Sequence, residues 1–469
     1  MKAPQIHTDD YRDTLSNVTQ TGKRIWIYPR IEIGQFYKLR TVVAWVLLAL
    51  LFGLPWLNIN GQPAFLFNVL ERKFIFFGVV FFPQDFHLVA IGLITFMVFV
   101  MLFTVVFGRI WCGWACPQTI FMEMLFRKIE VLIEGDHNAQ RRLDAAPLNW
   151  EKIWKKTLKH GVFFALSFLI ANTFLAYLIG KNELLRLISE PLALHWGKLV
   201  SLLIFTSAFY FVFARFRELV CIVVCPYGRL QGVLLDKKSI VVAYDWLRGE
   251  PRGKKNKAVE ETSVETTAKG SCIDCHICVQ VCPTGIDIRN GTQLECIGCT
   301  ACIDACDHVM DKINEPRGLI RYASLDGITK QEKGLLSVRV LAYSAVLVGL
   351  LSVLGYLLTT RSAFELTLMR TPGLTYQRQP NGQVSNLYSL QLVNKSTATA
   401  TITLKIKDNA GVIRLIGNTQ VVAASEVANL SFFIDKAPAQ IRSGNQTVEV
   451  EIWMNNKLSE TLSTSFLAP

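Results

Sequence analysis

Eight cysteines between Cys272 and Cys306 set the tightest constraint on this chain. They run Cys272-x-x-Cys275-x-x-Cys278-x-x-x-Cys282-Pro283, then Cys296-x-x-Cys299-x-x-Cys302-x-x-x-Cys306. Three thiolates at that spacing let a short loop curl over a compact iron–sulfur cube. In two-cluster ferredoxins the fourth thiolate of each run crosses to the other cube. The spacing therefore predicts a bacterial-type 2[4Fe–4S] ferredoxin insert. Cys272, Cys275, Cys278 and Cys306 are expected at one cluster, and Cys282, Cys296, Cys299 and Cys302 at the other. Structural zinc sites use paired C-x-x-C knuckles instead. Asp307 stands where a proline usually follows the last cysteine, which relaxes one turn and removes no ligand. His276 and His308 lie inside the loops and read as surface residues that tune potential.

The rest of the chain is read against the bilayer. A helix needs about 20 mostly apolar residues to cross it. Five stretches qualify: 39–59, 87–107, 160–180, 197–216 and 338–358. Phe74 to Phe82 is too short, follows Glu71, Arg72 and Lys73, and is expected to be an interfacial or re-entrant piece of the first external loop. Only 18% of residues are charged, below the ~25% of a soluble domain. The formal charge of +12 comes from Lys and Arg that flank apolar blocks, which points to a membrane surface and not to nucleic acid. The polar first 38 residues lack the form of a cleavable signal peptide. Basic residues concentrate in the N-terminal arm (Lys23, Arg24, Arg30, Lys38, Arg40) and the second loop (Arg109, Arg127, Lys128, Arg141, Arg142, Lys152, Lys155, Lys156). By the positive-inside rule, the N-terminus and the ferredoxin insert are expected in the cytoplasm and the C-terminal segment in the periplasm.

The expected organisation is a multi-domain membrane protein built on an α-helical bundle of five transmembrane helices. A cytoplasmic arm covers 1–38 and four spans cover 39–217. A connector and linker follow over 218–270, with 249–270 as a flexible tether. The ferredoxin-type domain occupies 271–320, ahead of the fifth span at 338–358. From 365 to 469 short runs rich in β-branched and aromatic residues alternate with turn signals. About seven strands are expected there, as an all-β immunoglobulin-like sandwich serving as a docking or structural module.

A second cysteine constellation sits at the spans. The second ends in Arg109-Ile-Trp-Cys112-Gly-Trp-Ala-Cys116-Pro117, and the fourth in Arg217-Glu-Leu-Val-Cys221-Ile-Val-Val-Cys225-Pro226. The repetition suggests that spans one–two and three–four are repeats. At i, i+4 the sulfurs share a helix face but stand too far apart for an easy disulfide. Pro117 and Pro226 suit the first turn of a following helix, which puts Cys116 and Cys225 at helix N-termini, where the dipole lowers a thiol pKa. Facing pairs would gather four soft thiolates, suited to copper or a further cluster. Met97, Met101, Met122 and Met124 are further thioether candidates that read more simply as packing residues. His87, His160 and His195 lie at or near span ends, so a transmembrane bis-His haem pair is not expected. With no G-x-G-x-x-G after a strand, electrons must come from another protein or a diffusible donor.

These motifs, with KRIWIYPR (Lys23 to Arg30), FFPQDF (Phe81 to Phe86) and YDWLRGEPRG (Tyr244 to Gly253), resemble the CcoG (FixG/RdxA) family of cytochrome c oxidase accessory proteins of bacterial inner membranes. The resemblance runs over essentially the whole length. It implies a role in assembling cbb-type oxidase, and a cupric reductase activity that delivers Cu(I) to copper-delivery proteins. The leading expectation is an electron-transfer protein reducing Cu(II) to Cu(I) near Cys112, Cys116, Cys221 and Cys225, fed by an unidentified cytoplasmic donor. One alternative is a quinol-linked relay, as in the membrane polyferredoxins of nitrate respiration. Its candidate proton acceptors, Glu123 and Glu130, read more simply as the polar face of an amphipathic helix. The other is a non-catalytic oxidase assembly scaffold.

Overall fold

The computed structural model describes residues 18–469, apart from 20, 22, 60, 70–72, 190–195, 254–269, 331–336, 374, 381, 397, 408–410, 418–420 and 442–443. Most of the expected tether at 249–270 lies outside the described residues, as does His195. Five described helices are long and apolar enough to cross a membrane: Gln35–Trp56, Pro83–Phe107, Trp150–Ile179, Trp196–Phe216 and Val338–Thr359. The third begins well before the apolar block expected at 160–180. Asn149 caps it by accepting from the Lys152 N–H, and a charged first stretch (Glu151, Lys155, Lys156, Lys159) precedes the apolar run. The chain divides into two compact units, Met1–Trp56 with Ala90–Ser352, and Leu57–Val89 with Val353–Pro469.

In the first unit, the segment after Cys116 is the wedge on which the spans pack. Helical Pro117–Thr119 continues through a π-helical stretch, Ile120–Phe126, into Arg127–Glu134. The wider π turn brings Ile120, Phe121, Met122, Met124 and Phe126 into one core with Ala44 and Leu48 of the first span, Phe163 and Ile170 of the third and Phe213 of the fourth. Phe126 stacks on Phe213 at 4.6 Å and meets Phe163 edge-on at 4.8 Å.

The ferredoxin-type region belongs to the same unit. Val241–Tyr244 pairs antiparallel with Ile320–Ala323, and the core of Val242, Tyr244, Ile286, Ile288, Ile303, Val309, Met310 and Leu319 surrounds the cysteines. Cys306 lies inside the helix Ala301–Lys312. That explains the missing proline, because a proline at 307 would delete an interior helix hydrogen bond at a cost of ~3 kcal/mol. Asp304 of this helix accepts from the Phe36 and Tyr37 N–H groups at 3.1 and 2.7 Å, satisfying orphan donors at the start of the first span.

The second unit corrects one expectation. Phe74 to Phe82 does not form a re-entrant helix; it supplies two strands of a meander, Phe65–Asn68, Lys73–Phe76 and Val79–Phe81. Its apolar residues alternate, so Ile75 and Val80 pair and bury with Leu66, Phe82 and Val393. Asp85, 2% exposed, is held by Arg361 and Lys395, each at 2.6 Å. The C-terminal region forms two antiparallel sheets. One orders Val412–Ile416, Val427–Lys436, Val384–Asn394 and Phe364–Arg370, with Gln377–Arg378 at its side; the other orders Val421–Val422, Ala400–Ile406, Gly444–Met454 and Lys457–Ala468. Leu390, Leu392, Phe432 and Ile434 of the first close a core with Ile402, Val450, Ile452 and Phe466 of the second.

Candidate iron–sulfur and thiol site

The two halves of the ferredoxin region take the same backbone path. Left-handed residues flank the second cysteine of each run, Asp274 and His276 around Cys275, Gly298 and Thr300 around Cys299. This curls each loop and starts a helix at Ile277 and Ala301. Cys272, Cys275, Cys278 and Cys306 line one cavity with Tyr244, His276 and Arg289. Cys282, Cys296, Cys299 and Cys302 line another with Thr284, Ile286, Ile288 and Thr300, and Cys278 stands in the shared wall. Backbone N–H groups of Thr284, Gly285 and Ile286 serve Cys282; those of Gly298 and Ala301 serve Cys296 and Cys299.

Charge tests whether these cavities fit a cluster. Burial pushes the thiols of Cys278, Cys296 and Cys306 up to about 12 and that of Cys299 to about 11, with Cys282 and Cys302 also raised. Such thiols become thiolates only against a cationic centre that displaces their protons. Four sulfurs gathered in each cavity, with N–H groups aimed at those of the second set, fit a cubane. Among the described residues, no three His, Cys, Asp or Glu side chains close on one point as a single metal ion requires.

The membrane-end cysteines also come together. Helix Ile110–Trp114 ends before Cys116, which takes the N-cap position with Pro117 following; Cys225 and Pro226 repeat that arrangement after Val220–Val224. Burial pushes Cys112 up to about 11 and Cys221 up to about 12. The Cys112 thiol lies in the field of Cys116 and Cys225, and that of Cys221 in the field of all three partners. Cys112 donates to Gln231 Oε1 at 3.4 Å, and Gln231 is fully buried. Met122 shares a small cavity with Cys221, whereas Met97 and Met101 line an apolar groove with Phe96, Phe103 and Trp111. Met124 is buried in the helix core.

The second-half loop lies directly on the first of these motifs. A Cβ at Gly113 would stand 2.5 Å from Gly298 O, and one at Gly298 would stand 2.9 Å from Arg109 O. Glycine at both positions lets backbone meet backbone between Cys112 and Cys116 on one side and Cys296 and Cys299 on the other. Arg40 donates from Nε to Gly113 O at 3.0 Å and from Nη1 to Cys299 O at 2.7 Å. Arg109 donates to Leu294 O, Cys296 O and Gly228 O. Trp114 Nε1 donates to Tyr322 at 3.0 Å. Cys221 faces Pro283, Thr284 and Ile297 across its small cavity, and Thr284 and Ile297 also line the second cysteine cavity. One layer of residues thus separates the two cysteine sets. In sequence Arg40 and Arg109 look like topogenic charges; Gly113, set between the two cysteines of its motif, is the one local sign of a close backbone approach.

Glu130 lies on the polar face of the amphipathic helix Arg127–Glu134, with Arg127 and Glu134, and that face is buried. It is 3% exposed and accepts from Arg217 at 2.7 and 3.1 Å and from Lys159 at 3.4 Å. Despite its burial, Arg217 first and Lys159 next hold its carboxyl down at about 2. Glu134 joins Lys159 and Lys156, and Glu123 pairs with Arg127 at 3.1 Å. Trp26 lies between the guanidinium groups of Arg24 and Arg217, 4.4 and 5.0 Å from its ring.

Fold and site together define a multi-pass membrane ferredoxin with a C-terminal immunoglobulin-like domain. Family models for a 4Fe-4S dicluster domain, a 4Fe-4S binding domain and an IG-like fold at the C-terminal of FixG match residues 216–325, 89–134 and 354–469. The chain is 38% identical to Protein RdxA of Cereibacter sphaeroides over 408 residues, 82% of this chain and 83% of the relative. It is 34% identical to nitrogen fixation protein FixG of Rhizobium meliloti over 427 residues, 82% of this chain and 80% of the relative. Protein RdxB of Cereibacter sphaeroides is 37% identical over 398 residues, covering 80% and 82%. The chain belongs to the FixG/RdxA family and is an iron–sulfur electron-transfer protein.

Proposed function

We propose that this protein is a cupric reductase supporting assembly of a cbb-type cytochrome oxidase. In this reading the ferredoxin side of the membrane is cytoplasmic and the immunoglobulin-like domain periplasmic, as the distribution of basic residues favours. Cys272, Cys275, Cys278 and Cys306 hold the cluster that meets a soluble donor, and Cys282, Cys296, Cys299 and Cys302 hold the one nearer the membrane. Cu(II) is reduced at Cys112, Cys116, Cys221 and Cys225. The clusters of the ferredoxin region would supply one electron to each Cu(II). Thiolates favour Cu(I) and so help drive the step.

The observation that carries this reading is the seating of the second-half loop on Gly113, with Cys221 one residue layer from the cavity of Cys282, Cys296, Cys299 and Cys302. The test is anaerobic mixing of the reduced, purified protein with Cu(II), following cluster reoxidation and Cu(I) together. Stoichiometric Cu(I) that disappears when all four membrane-end cysteines are replaced by serine supports the reading. Undiminished Cu(I) from that variant overturns the site assignment. The quinol-linked alternative loses weight because Glu123 and Glu130, its expected proton acceptors, are both ion-paired.

A further inference from the structure

The two halves of the ferredoxin region are alike in backbone and unlike in charge. Beside the first cysteine set stands one buried arginine, Arg289, 7% exposed, which meets Asp287 at 2.7 Å and also Asp274. Beside the second set stand two, Arg40 and Arg109, 6% and 8% exposed. Among the described residues, neither has a carboxylate within ion-pair distance. The other deeply buried cations of this unit do: Arg127 has Glu123, Lys159 has Glu130 and Glu134, and Arg217 has Glu130. The donors of Arg40 and Arg109 go to carbonyl oxygens, among them those of Cys299 and Cys296. Carbonyls satisfy hydrogen bonds but do not neutralise charge, and an uncompensated buried ion costs several kcal/mol.

An anion is therefore missing from this balance. A cubane held by four thiolates is anionic and gains one more negative charge on reduction. Cluster potentials respond to neighbouring charge, hydrogen bonds and exposure. Exposure alone would favour the first cluster as the easier to reduce, because Cys275 is exposed and Cys299 is buried. The arginines act in the opposite sense.

We propose that Arg40 and Arg109 are the counter-charges of the cluster at Cys282, Cys296, Cys299 and Cys302, and that they make it the higher-potential centre of the pair. Electrons then collect at the end of the ferredoxin seated on the membrane cysteines. Arg40 and Arg109 are positioning residues in this sense, setting the direction of flow without touching a substrate. The inference rests on the iron–sulfur assignment and is independent of whether copper is the acceptor.

The test is a potentiometric titration of the full-length, cluster-loaded protein, followed by electron paramagnetic resonance. Cys275→Ser and Cys299→Ser variants assign the two signals. In the wild type the signal altered by Cys299→Ser should have the higher midpoint. Arg40→Gln and Arg109→Gln should each lower that midpoint so that the electron partition between clusters shifts at least tenfold, about 59 mV for one electron. The other midpoint should stay in place. Arg40→Lys and Arg109→Lys keep the charge, so they should restore most of the wild-type value, which a purely structural role would not predict. Iron and sulfide content confirms loading in each variant, and the lysine variants carry the test if a glutamine variant loads poorly. A wild-type order with the Cys275 cluster higher overturns the proposal. So do equal shifts at both clusters, or lysine variants that behave like glutamine ones.

Discussion

Replacing Glu130 by glutamine removes one negative charge from a buried group of cations, and the structure sets the cost. An ordinary glutamate titrates near ~4.3. Holding Glu130 at about 2 corresponds, at about 1.4 kcal/mol per pKa unit, to ~3 kcal/mol in favour of the folded carboxylate. The geometry gives a similar figure: breaking a buried pair costs ~3–5 kcal/mol, at the low end here because Arg217 keeps Glu218 at 4.0 Å. Because the folded pKa is depressed, this stabilisation is complete above the unfolded value near ~4.3 and is lost as pH falls from there toward the folded pKa of about 2. Detergent-solubilised Glu130→Gln should therefore lose ~3 kcal/mol relative to wild type in unfolding titrations with sodium dodecyl sulfate. The deficit should be flat across neutral and mildly acidic pH. Pairing it with Arg217→Met should recover part of the loss, because the stranded cation goes too. A loss below ~1 kcal/mol, or a deficit that changes through neutral pH, would refute the reasoning and revive Glu130 as a proton acceptor.

Gly113→Ala should cost ~1–3 kcal/mol by overpacking, and Gly298→Ala ~1–2 kcal/mol more for its left-handed backbone. Both should slow electron delivery from loaded protein to Cu(II) in stopped-flow traces. Asp85→Asn strands Arg361, while Lys395 keeps Glu365 at 2.7 Å, and should destabilise the unit of meander and sandwich by ~3 kcal/mol, read by hydrogen exchange in the Val384–Asn394 strand. Tyr388→Phe deletes the 2.9 Å bond to Ser465 O that ties one sheet to the other; a loss of ~1 kcal/mol is expected in the same exchange experiment.

Features that depend on local spacing were legible in the sequence. The double cysteine run gave the ferredoxin, the apolar blocks gave the spans, and the β-branched runs gave most of the sandwich. The strand Lys457–Ala468 was harder to see, because it carries polar residues through much of its length and buries few side chains. The meander was hidden for a different reason. Nine residues of apolar texture fit a short helical segment as well as a sheet, and the small core that buries them includes Val393, which is distant in sequence. Arg40 and Arg109 stand beside apolar blocks, where a charge normally marks the exit of a helix from the bilayer, and Glu130 stands on a polar helix face, which normally meets solvent. Only tertiary contacts show that these three turn inward.

Asp274 and Gly298 occupy the same place in their loops, as do His276 and Thr300, and all four share the left-handed conformation. Backbone geometry alone therefore would have allowed the same residue types in both halves. Asp274 and His276 keep their side chains where Arg289 and solvent reach them. Gly298 gives up its side chain entirely and Thr300 is buried. The substitution pattern is what results when one half of a symmetric carrier must stay open and the other must lie flat against a helix. That asymmetry places the exposed Cys275 at one end and Gly113, between Cys112 and Cys116, at the other. Under the proposed function, an electron accepted at the open loop would have the membrane-end thiols as its sulfur-rich exit.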